Sequence, residues 1–124
     1  MATYLDSLSA EPERLRRGLI QVVEDQETYV NRLQALLDDY IFQLDVSVLR
    51  FLALRQKFGA GHGEALDAER KTEDASKPVT ELRPVVARQR EILEAFRGYL
   101  DEFERTGAVA SLASSDAEAP TGSA

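Results

Sequence analysis

A chain of 124 residues with a net charge of −7 and no cysteine has room for one small domain. The acidic balance lacks the basic face that phosphate binding requires, which argues against nucleic acid as a partner. Without cysteine there are no disulfides, thiol nucleophiles or thiolate metal sites.

The opening "MATYLDSLSAEPERLRR" lacks a basic stretch followed by an apolar one, so no secretory leader is expected and a cytoplasmic location is. Residues 1–10 read as an N-terminal arm. Ser9, Glu11, Pro12 and Glu13 then supply a cap-type residue, first-turn acids and a proline, which predicts a helix start. From there to Phe58 the only breaker is Gly18. Leu15, Leu19, Val22, Val23, Gln26, Val30, Leu33, Leu37, Tyr40, Ile41, Leu44, Val48, Phe51, Leu52 and Phe58 recur every three or four residues. The pattern predicts a helix over 11–58.

Residues 59–77, "GAGHGEALDAERKTEDASK", hold three glycines, dense charge and one large apolar residue, Leu66. They read as a loop. A second helix is predicted over 78–106, with Leu82, Val85, Val86, Gln89, Ile92, Leu93, Phe96, Tyr99, Leu100 and Phe103 on one face, stopped by Gly107. Residues 107–124 are small, polar and of low complexity, and they read as a disordered tail. The expected fold is all-α: a helical domain over 11–106, built as an elongated antiparallel helical hairpin or as a three-helix bundle, with coiled-coil-like packing.

Within "YIFQLDVSVLRFLAL", residues 40–54, the side chains divide between two stripes. Leu33, Leu37, Ile41, Leu44, Val48 and Phe51 share the face a second helix can cover. Phe42, Val46, Leu49 and Ala53, at i, i+4, i+7 and i+11, form another stripe roughly 100° or more away. Burial of a Val, Leu or Phe stabilises by ~1.5–3 kcal/mol each, so this second stripe represents roughly 5–9 kcal/mol if it is covered. A two-helix hairpin cannot cover both. Either the helix breaks near Asp45, with Asp45 or Ser47 capping a helix that folds back, or another protein chain packs on Phe42, Val46, Leu49 and Ala53. The segment is too short and too often interrupted by charge to insert in a membrane, which takes ~20 mostly apolar residues.

Chemistry is sparse. His62, the only histidine, lies between glycines with no partner nearby to make it a base or ligand. The glycines do not make a phosphate loop, because no GK[ST] sequence follows them. Glu24 with Asp25 and Asp38 with Asp39 are adjacent pairs that diverge by 100° on a helix and read as solvated charges. No catalytic activity, cofactor, metal or small-molecule substrate is therefore expected. Gln26 and Gln89 interrupt the apolar stripes; a polar residue at such a position fixes pairing, and Gln26 joins the candidate partner-binding residues.

"LIQVVEDQETYVNRLQALLDDYIFQL" (19–44) resembles the first helix of Dbl-homology domains, the Rho guanine-nucleotide exchange modules. It shares their apolar pair, Tyr-Val, Leu, Leu-Leu and aromatic steps. "ELRPVVARQREILEAFRGYLDEFER" (81–105) is similar to that family's next helix. The resemblance implies a fragment or degenerate relative of an exchange domain, since the chain is too short for the whole. The position that family gives to a switch-contacting glutamate, three before the tyrosine, is Gln26 here. A second similarity is to acidic helical export chaperones of the flagellar kind. The reading favoured by the residues themselves is a non-catalytic helical interaction module, a subunit or adaptor in a homo- or hetero-oligomer.

Overall fold

The structure, a computed structural model, describes residues 3–117, with side chains through residue 113. The outer ends of the expected arm and tail, 1–2 and 118–124, lie outside the described residues. Four helices follow one another, α1 (Tyr4–Ser9), α2 (Pro12–Phe58), α3 (Gly63–Thr106) and α4 (Ala110–Ala117), and no strand occurs among the described residues. The all-α expectation holds.

Helix α2 begins at Pro12, one residue from the expected start, with Glu13 in its first turn. A proline here gives up an N–H that would have no intrahelical acceptor. The helix runs unbroken through Asp45, which corrects the three-helix alternative. Its end is set by Gly59 at φ +94°, a left-handed conformation that side chains resist, and the Gly59 N–H donates to the Arg55 carbonyl at 2.9 Å.

The expected loop 59–77 is a correction too, because α3 starts at Gly63 and leaves only 59–62 as the turn. Residues 63–77 are helical because they carry a seam of small side chains. Ala65 and Ala68 are buried, Thr72 and Ala75 half-buried, and the same three-four spacing continues through Val79, Leu82, Val86 and Gln89. Such a seam buries by close approach and not by bulk. Pro78 and Pro84 lie inside α3, each at a cost of ~3 kcal/mol relative to a good helix former. Around them, the Ser76 hydroxyl donates to the Glu73 carbonyl at 2.6 Å and the Thr80 hydroxyl to the Ser76 carbonyl at 3.1 Å. Gly107, at φ +79°, ends α3 as expected.

The described residues form two compact units, one of residues 3–28 with 90–117 and one of residues 29–89. In the first, Leu15, Leu19, Phe103 and Val109 make the buried core, and Leu5, Leu8, Tyr99, Leu100 and Leu112 pack against it. Helix α1 is started by a reciprocal Thr3 and Asp6 cap. Helix α4, Ala110–Ala117, lies within the segment 107–124 that the sequence reads as a tail. It is held by Val109 and Leu112 in the core and by the Glu102 carboxylate, which accepts from the Ser111 hydroxyl at 2.7 Å. Arg16 pairs with Glu104 at 2.9 Å and Arg97 with Glu27 at 2.8 Å between α2 and α3. The Glu27 and Glu94 carboxylates on Arg97 hold its guanidinium even more firmly protonated than usual.

The second unit is a helical hairpin, with α2 from Tyr29 to Phe58 antiparallel to α3 from Gly63 to Gln89. Its core is Leu37, Val79 and Val86, with Leu33, Tyr40, Ile41, Leu44 and Leu82 packed around it. Of the six residues that the first stripe assigned to the covered face, Leu33, Leu37, Ile41 and Leu44 are in this core, and Val48 and Phe51 are half-buried farther along α2.

Candidate interaction face

In the second unit, Phe42 is 68 % exposed, Leu49 66 % and Val46 49 %, and Ala53 is exposed beside them. At 100° per residue the four side chains fall within roughly 60° of arc, and the buried Leu37 with the half-buried Leu33, Leu44 and Phe51 centre on the opposite side of the same helix. The second stripe therefore faces away from α3 and is not merely offset from the seam. Because α2 does not fold back at Asp45, nothing among the described residues covers the stripe.

Charge borders it on both flanks. Asp39, Gln43, Arg50 and Lys57 run along one side, and Asp38, Asp45 and Gln56 with the partly exposed Leu52 along the other. Gln34 donates to the Asp38 carboxylate at 2.8 Å. Asp39, Asp45 and Arg50 make no ion pair or side-chain hydrogen bond among the described residues. Tyr29 and Leu36 are also partly exposed, but they sit beside the seam and not on this stripe. Gln26 is not part of the face: it belongs to the first unit, half-buried at a seam position of α2.

His62 has a structural place that its flanking glycines did not reveal. Its ring stacks on Phe58 with centroids 4.8 Å apart, and its Nδ1 accepts the Glu64 N–H at 3.2 Å, capping the first turn of α3. Two concavities also went unread. A polar cleft of about 140 Å³ in the second unit is lined by Arg50, Leu54, Glu64, Asp67, Ala68 and Lys71. Its Asp67 carboxyl is held below the usual carboxylate range by the hydrogen bond from Arg70, and next by Lys71. In the first unit an open apolar pocket of about 210 Å³ lies among Leu5, Leu8, Leu15, Gly18, Leu19, Val22 and Leu112, with Arg14 at its edge. Spacing within one helix could not show either of them, because their linings come from separate elements.

Among the described residues no group of three or more His, Cys, Asp or Glu side chains is placed to hold a metal ion, and no helix is long and apolar enough to cross a membrane. No family model, curated protein or solved structure matches this chain.

Proposed function

We propose that the chain is a non-catalytic helical interaction module, a subunit or adaptor that docks another polypeptide on Phe42, Val46, Leu49 and Ala53. The observation that carries this reading is the two-thirds exposure of Phe42 and Leu49 on the side of α2 opposite its packed seam. Single exposed apolar residues are ordinary on protein surfaces. Here three large ones share one face at helical spacing, the pattern by which a helix is read by a partner. Anchors of this kind dominate an interface, so Phe42→Ala should weaken association by ~2–4 kcal/mol.

The test is a comparison of wild type with Phe42→Asp in two measurements, molecular mass in solution with pull-down from the native host, and far-UV circular dichroism. Loss of self-association or of a stoichiometric partner at unchanged helicity supports the docking face. Identical mass and identical partners for both proteins would overturn it.

A further inference from the structure

We propose that the occupant of this face is a second copy of the chain, laid antiparallel about a two-fold axis passing between Ser47 and Val48. The inference rests on reading Phe42 to Ala53 as a docking face, and it names the partner.

Three features of α2 carry it. The chain as a whole is acidic, with net charge −7, but the charges bordering the stripe are nearly balanced and sorted by sign: Asp38, Asp39 and Asp45 all precede Arg50 and Lys57. A helix segment with acids first and bases last is complementary to itself only when reversed, since a parallel copy would set like charge beside like. Side-chain size follows the same symmetry. About an axis between Ser47 and Val48, the largest member of the stripe, Phe42, comes opposite the smallest, Ala53, and Val46 comes opposite Leu49.

The flanks also fit. In an antiparallel pair each flank meets its own counterpart, so Asp39 comes level, to within one residue, with Lys57 of the second copy, twice by symmetry. On the other flank Asp38 meets Gln56. Asp39 and Lys57 are eighteen positions apart on one helix, roughly 27 Å at 1.5 Å per residue, so they cannot pair within a chain. Asp45 and Arg50 lie near the axis and each approaches its own copy, offset along the helix by roughly 7.5 Å. Asp45→Asn should therefore strengthen the dimer.

Sedimentation equilibrium of the full chain tests this. The expected result is a reversible dimer of the 13.8 kDa chain that Phe42→Asp converts to a monomer of unchanged helicity. Asp39→Lys and Lys57→Asp should each weaken dimerisation about 3–10-fold, since each creates two like-charge contacts, and the double variant should restore it. A dimer indifferent to Phe42→Asp, or a double variant no better than the singles, overturns self-pairing. So does helicity that collapses in both Phe42→Asp and the milder Leu49→Ser, which would make the stripe internal core. A wild type monomeric at every concentration overturns it as well. If that monomer captures a stoichiometric host protein and loses it in Phe42→Asp, the docking face stands with a different occupant. If it captures nothing through Phe42, both readings fall.

Discussion

In the first unit, Leu15 and Leu19 of α2 are covered by Phe103 of α3 together with Leu5 and Leu8 of α1 and Val109 and Leu112 near α4. In the second, Phe42, Val46 and Leu49 of the same α2 have no further described element laid over them. Helices of six and eight residues, the lengths of α1 and α4, are too short to hold together alone in water, so their order comes from what they cover. The contrast teaches that this chain folds even weak helix-forming segments where they supply cover. The face left open elsewhere is what the proposed docking of another chain would cover.

The comparison is broken most directly by treating one phenylalanine from each unit alike. Phe103 is 8 % exposed and Phe42 68 %. Phe103→Ala should destabilise the fold by about 3–5 kcal/mol through lost burial and a residual cavity. Phe42→Ala should leave monomer stability within about 0.5 kcal/mol, as surface substitutions do. Chemical denaturation at concentrations low enough to dissociate any assembly measures both. Comparable losses would mean that Phe42 is core and that the two units do not differ in this way.

A second test concerns the small-residue seam. Ala65 has 0 % of its surface exposed, so Ala65→Leu must push α3 away from α2 or force strained rotamers, at about 1–3 kcal/mol. Were 63–77 held only loosely, the added leucine would be neutral or stabilising, and thermal denaturation of the variant distinguishes the two.

What was legible in the sequence follows the same division. Helix α2 was readable almost to the residue because bulky side chains mark its seam, and the exposed stripe was readable because i, i+4, i+7, i+11 is a property of one helix. The start of α3 was not, since Ala65, Ala68, Thr72 and Ala75 carry the seam with little hydrophobic signal and Pro78 and Pro84 mimic a boundary. Their three-four spacing, continuous with Val79 and Leu82, was the available clue. Helix α4 was missed for a related reason: its order depends on Val109 and Leu112 meeting Leu15 and Phe103, a long-range contact that composition cannot report.

Gly18 sharpens the picture of the first unit. It lies inside α2, and an added Cβ meets nothing within 4 Å. Gly18→Ala should therefore stabilise by about 0.5–1 kcal/mol, by reducing the freedom of the unfolded chain without a clash. A rise in melting temperature is the expected result. A fall would mean that the pocket beside Leu15 and Leu19 closes in solution more tightly than the structure has it.

The smallest effect belongs to the second unit and depends on pH. Asp67 sits near the start of α3, where its carboxylate takes hydrogen bonds from Arg70 and Lys71 one turn on, and these hold its pKa down, Arg70 foremost. A carboxyl whose folded pKa lies below its unfolded value contributes stability that is full above the unfolded value and is lost as pH falls through the folded one. Wild type should therefore melt higher than Asp67→Asn at neutral pH, by less than the Gly18→Ala gain because the group is solvated and screened. The two proteins should converge below the ordinary carboxylate range. At neutral pH the gap should also narrow in 1 M salt, where the Debye length shrinks to about 3 Å. A gap that survives both acid and salt would assign Asp67 a packing or helix-propensity role in place of an electrostatic one.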